Sequence, residues 1–126
     1  MQTSRPVFLE LWRIKLPLPG LVSILHRASG VLMVLAIPFA AILLHLAASG
    51  QQGFESAAGL LDSWWVGLFL IGLVWSLMHH LLAGIRHLVL DIGIGLDRPV
   101  ARRTAKTVLV AGLVLSLLLL VGGLIS

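Results

Sequence analysis

No cysteine occurs anywhere in the 126 residues. Disulfides, zinc–thiolate sites and iron–sulfur clusters ligated by this chain's own thiolates are thereby excluded. Tyrosine is absent too, which leaves Trp12, Trp64, Trp65 and Trp75 as the aromatic anchors for a membrane–water boundary. Charge is scarce. Only 11% of residues are Asp, Glu, Lys or Arg, against 59% hydrophobic, whereas a soluble domain carries about a quarter of its residues as charges. The deficit is concentrated in long uncharged runs, and that pattern indicates an integral membrane protein. The net charge of +4 does not argue for nucleic acid. Its basic residues cluster beside the apolar runs, where they set topology and meet anionic lipid headgroups. A short secretory leader is not evident, because the run before "LAAS" (Leu46 to Ser49) is too long for one and reads as a retained span.

Three spans follow from the spacing of the charges. No residue between Arg27 and Glu55 is formally charged, the stretch from Asp62 to Arg86 is likewise free of charge, and none follows Lys106. A helix rising about 1.5 Å per residue crosses a hydrocarbon core of about 30 Å in roughly 20 residues. Three runs cannot close a barrel, so the spans must be helical to satisfy their backbone polar groups. The expected architecture is an all-α membrane protein forming a single domain over residues 1–126. Transmembrane helices are expected at 22–48, 60–92 and 104–125, after a short interfacial segment at 1–21. That segment, "RPVFLELWRIKLPLPG", is too charged and Pro-rich to span and suits the inner interface. All nine Lys and Arg residues flank one side of the spans, while the loop "SGQQGFESAAGLLDSWW" has Glu55 and Asp62 but no base. The positive-inside rule places the N-terminus in the cytoplasm and the C-terminus in the periplasm, as expected for a bacterial inner-membrane protein.

The second run carries groups that a bilayer rejects: "SLMHHLLAGIRHLVLD", Ser76 to Asp91. An ionisable group in a span costs roughly 2.5–3.5 kcal/mol on insertion scales, so it faces a partner, a cofactor or water. Helical spacing aligns Ser76, His80, Gly84, His87 and Asp91 in one stripe and leaves His79 and Arg86 off it. Ser23, His26, Arg27 and Gly30 form a shorter stripe at the start of the first span. His80 lies about 16 Å below the inner end of its helix, and His87 about 10 Å nearer that end. A neutral imidazole at His80's depth, followed by Gly84, suits an axial haem ligand. His26, Arg27, Arg86 and His87 are nearer the rim, where haem propionates or a quinone headgroup can accept hydrogen bonds. The plainer alternatives are a helix–helix hydrogen bond at His80, packing at His79, an interfacial His45, a helix-start cap at Ser23 and topology charges at Arg98, Arg102, Arg103 and Lys106.

"SILHRASG" (Ser23 to Gly30) and "HHLLAGIRHLVLDIG" (His79 to Gly93) resemble the two signature segments of the cytochrome b556 subunit of succinate dehydrogenase. The likeness covers nearly the whole chain. It implies a subunit of a succinate:ubiquinone oxidoreductase, with no part in succinate chemistry itself. A flavoprotein subunit oxidises succinate, an iron–sulfur subunit carries the electrons, and two small membrane subunits hold haem b between them. By position, the resemblance makes His80 the axial ligand to the haem iron, with His26, Arg27 and His87 around the propionates. Ser23 and Arg27 line the pocket for ubiquinone, where a serine hydroxyl bonds a quinone carbonyl and Arg27 meets the developing negative charge. The companion membrane subunit supplies the second axial ligand, and membrane lipid surrounds the rest. Readings from other classes are a haem-free structural anchor, the cytochrome b anchor of a fumarate reductase or hydrogenase, and, least favoured, a small transporter.

Overall fold

The computed structural model describes residues 15–125. Most of the interfacial segment expected at 1–21, including Trp12, lies outside the described residues. Four helices follow in chain order: α1 (Leu18–Ala48), α2 (Gln51–Leu61), α3 (Trp64–Asp91) and α4 (Arg98–Ile125). Among the described residues there is no strand. Helices α1, α3 and α4, of 31, 28 and 28 residues, are each long and apolar enough to cross a membrane.

Local sequence explains where each helix begins and ends. Pro17 occupies the N-cap of α1 in an extended conformation, and Pro19, in the first turn, forfeits no intrahelical bond. Pro38 lies within α1, where its missing N–H frees a carbonyl one turn back. Helix α3 closes on Gly93, whose φ of 84° is left-handed. The Gly93 N–H donates to the Leu90 carbonyl at 2.9 Å and the Ile94 N–H to the Val89 carbonyl at 3.2 Å. That pair of bonds is a Schellman stop. Gly95, at φ 80°, completes the turn, and Pro99 sits in the first turn of α4.

Helix α2 is a finding the charge pattern did not give: residues expected to form a loop make three helical turns. Gly50 precedes it at φ 114°, and Gln51 Nε2 donates to Glu55 Oε1 at 2.8 Å across one turn. Ala57 is buried, while Phe54, Leu60 and Leu61 are exposed. An apolar face turned outward beside the stacked rings of Trp64 and Trp65 suits a helix at the membrane boundary.

Helix α3 is central, packing on both α1 and α4. The core is thin. Val22, Ala83, Ala105 and Val108 are buried where the three long helices meet, with Leu18, Leu82 and Leu109 against them. Small residues at this crossing let the backbones approach, as membrane helices require in the absence of a hydrophobic drive between them. The large apolar side chains, among them Val31, Phe39, Leu81, Leu113 and Leu117, point outward.

Candidate functional site

The polar residues of α3 divide between two faces. One face, carrying His80, Gly84 and His87, looks toward α1. The other, carrying Ser76, His79, Ala83 and Arg86, is buried and is met by α4 at His79 and Arg86. The division corrects the sequence reading at one position: Arg86, expected near the rim of the His80 group, is bonded to α4 instead. Arg86 donates through Nε to Thr104 Oγ1 at 3.1 Å and through Nη2 to the Ala101 carbonyl at 3.1 Å.

On the α1 side, three imidazoles gather. The His26 and His80 rings stack with centroids 4.0 Å apart at 16°. His87 meets His26 edge-on at 5.1 Å and 67°. Close approach is possible because glycine faces each ring. A Cβ on Gly30 would stand 3.0 Å from His80 Cε1, and one on Gly84 would stand 3.4 Å from His26 Nε2. The Ser29 hydroxyl donates to the His26 carbonyl at 2.8 Å.

His80 Nδ1 lies 3.0 Å from that same carbonyl and 3.2 Å from Ser29 Oγ. A carbonyl only accepts, so the bond to it requires the proton on Nδ1 and leaves the Nε2 lone pair free. This is the arrangement of a metal-ligating histidine whose other nitrogen is held by a backbone oxygen. His26 Nε2, by contrast, is buried without a hydrogen-bond partner. Among the described residues, no group of three or more His, Asp or Glu converges as a metal cage. The site therefore offers a single oriented imidazole donor.

Ser23 lies one turn nearer the start of α1 than the imidazole cluster, and Arg27 directly follows His26. Arg27 donates through Nε to the Ser23 carbonyl at 3.4 Å, and its Nη2 stands 3.5 Å from Ser23 Oγ. The guanidinium is exposed, so most of its donors face outward. In the other direction from His80 the surface becomes apolar. Met33, Phe39, Phe69 and Leu77 help line a groove of about 610 Å³ between α1 and α3. His45 stands apart on α1, exposed in its last turn.

Comparison with known proteins fixes the family. The model of the succinate dehydrogenase/fumarate reductase transmembrane subunit matches residues 1–119. The chain belongs to this family. It is 33% identical to the succinate dehydrogenase cytochrome b556 subunit of Paracoccus denitrificans, over 94% of this chain and 91% of that protein. Identity to the protein of the same name from Coxiella burnetii is 36%, over 90% of this chain and 92% of the relative. A mitochondrial relative, the cytochrome b560 subunit of Sus scrofa, is 34% identical over 86% of this chain and 65% of its own length. Three membrane-crossing helices and these bacterial relatives make the chain a multi-pass protein of a bacterial inner membrane.

Proposed function

We propose that this chain is the cytochrome b anchor of a succinate:quinone oxidoreductase, with His80 as the residue that would hold the iron of haem b. Family membership supports the complex. The observation that carries the haem assignment is the Nδ1 bond to the His26 carbonyl, which presents Nε2 as a donor atom. Gly30 and Gly84 leave the flanks of the imidazoles uncrowded, and the partnerless His26 Nε2 awaits an acceptor or donor such as a propionate or its water. These residues fit an iron porphyrin whose iron His80 would hold. His26, His87 and Arg27 would stand toward its carboxylates, and a companion membrane subunit would provide a further ligand. When bound, haem b supplies a one-electron redox centre.

The remaining chemistry belongs to the chain's own side chains. Ser23 Oγ is available to donate to a quinone carbonyl. The Arg27 guanidinium stabilises negative charge gathering on the quinone oxygens in a medium of low dielectric. Without cysteine, the chain receives its electrons from the clusters of an iron–sulfur subunit, supplied in turn by a flavoprotein subunit. Ubiquinone is the proposed acceptor. The cytoplasm lies at the Ser23–Arg27 end and the periplasm beyond α2.

The deciding experiment is a reduced-minus-oxidised absorbance spectrum of the purified complex. His80→Ala is expected to abolish or displace the b-type band, while His79→Leu leaves its position unchanged. A normal band in His80→Ala, or a complex with no iron porphyrin, would remove the assignment.

A further inference from the structure

Ser29 is only 1% exposed and stands where α1 meets the His80 ring. It is neither a quinone contact nor an iron ligand. Its hydroxyl has one proton and two lone pairs. The His26 carbonyl, 2.8 Å away, can only accept, so it takes the proton. What Ser29 Oγ presents to His80 Nδ1, 3.2 Å away, is therefore a lone pair. The same His26 carbonyl lies 3.0 Å from Nδ1. One ring nitrogen thus faces two oxygens, neither with a proton left to offer. A lone pair on Nδ1 would be repelled by both.

The other side of α3 repeats the plan with a side chain whose bonds have only one direction. Thr104 donates to the Ala101 carbonyl at 3.2 Å, and Arg86 donates to both of those oxygens at 3.1 Å. Arginine has no acceptor, so the Thr104 hydroxyl receives from it. At both contacts a hydroxyl gives its proton to the carbonyl three residues earlier, and the two oxygens together accept from α3. At His80 the pair also sets the angle of the ring. The last torsion of a histidine is broad and weakly determined by the side chain itself, and two acceptors at one edge narrow it. Gly30 flanks the ring from the next position, where an added Cβ would stand 3.0 Å from His80 Cε1.

We propose that Ser29 is a positioning residue for His80, an acceptor that keeps the proton on Nδ1, holds the ring's orientation and makes Nε2 a stronger donor than the carbonyl alone would. The inference rests on His80 holding the iron of haem b. An acceptor at the far nitrogen raises the basicity of a ligating imidazole, and a more basic ligand favours the oxidised metal. Removing Ser29's oxygen should therefore raise the reduction potential.

The test is a potentiometric titration of the b-type absorbance band in the purified complex. In Ser29→Ala the band should persist, because the His26 carbonyl still bonds Nδ1. The reduced-to-oxidised ratio at a fixed ambient potential should rise, by at most about tenfold, which for one electron is about 59 mV. Ser29→Cys fills similar space with a weaker acceptor and should also raise the potential, which gives a reading should the alanine variant not assemble. Ser29→Thr keeps the hydroxyl and should return the potential toward the native value. An unmoved potential in Ser29→Ala or Ser29→Cys, with the band intact, overturns the inference alone, even if the thermal midpoint falls. So does a threonine variant that behaves like alanine. A native complex without iron porphyrin, or a normal band in His80→Ala, would instead remove the haem assignment and this inference with it.

Discussion

Ser23 and Arg27 are one helical turn apart, and Arg27 Nη2 stands 3.5 Å from Ser23 Oγ. A quinone oxygen arriving between them would find a neutral donor and a charged one. A hydrogen bond to a charged group contributes about 1.5–3 kcal/mol, which corresponds to about a ten- to hundredfold change in rate. Arg27→Leu is therefore expected to slow quinone reduction by about that factor, and Ser23→Ala by less. Succinate oxidation with an artificial acceptor should be untouched in both. Equal loss of the two activities would place the defect in assembly instead. The glycines permit a second test at this scale. Gly30→Val forces bulk into the 3.0 Å approach to His80, whereas Gly67→Val meets nothing within 4 Å at its Cβ. The first should disturb the b-type spectrum and the second should not. Much of this cluster was readable from spacing alone, since Gly30, Gly84, His26, His80 and His87 share helical faces. The Nδ1 bond was not readable. It depends on a backbone carbonyl 54 positions away, exposed to its partner only by the packing of α1 on α3.

At the scale of the element, α3 is defined by the separation of its two polar faces. Ser76 is 40° around the helix from His80 and 60° from His79, so periodicity by itself could assign it to either group. For His79 and Arg86 the neighbouring helix α4 decides, and a single sequence does not reveal which helix lies on which side. Arg86 shows the same limit: its charge suggested the rim, but Thr104 and Ala101 take its hydrogen bonds. It thereby clamps the first turns of α4 to the last turns of α3. Arg86→Met should destabilise the α3–α4 pair by at least about 1.5 kcal/mol, since two bonds from a cation are lost. The readouts are a lower thermal midpoint and faster proteolysis at the turn spanning residues 92–97. Arg86→Lys should recover only part of the loss, because an ammonium does not reproduce the planar fork. An unchanged midpoint in Arg86→Met would exclude the clamp. Helix α2 was missed because its sequence is short and rich in Gly, Ser and Gln. The spacing of Phe54, Ala57 and Leu61 is nevertheless helical, and it is the signal that identifies a boundary helix.

For the whole molecule, three long apolar runs and an unequal distribution of Lys and Arg were enough to foresee three crossings. The proposed orientation can be tested directly, because a chain with no cysteine makes any introduced thiol unique. Gln52→Cys should react with an impermeant maleimide applied to intact cells, while Arg102→Cys should react only after the membrane is opened. The opposite pattern would invert the topology. Helix lengths then set depth. Counting about 30 Å of hydrocarbon inward from Ala48, at about 1.5 Å per residue, ends near residue 28. The same count from Trp65 ends near residue 85. Both helices put Arg27 and His87 at one level, with His80 about 10 Å deeper. A lipophilic electron acceptor can thus keep its isoprenoid tail among the acyl chains while its head rises to the boundary. Membrane thickness becomes a control on turnover: in a bilayer a few ångströms thicker, hydrophobic matching would draw the entrance below the headgroups.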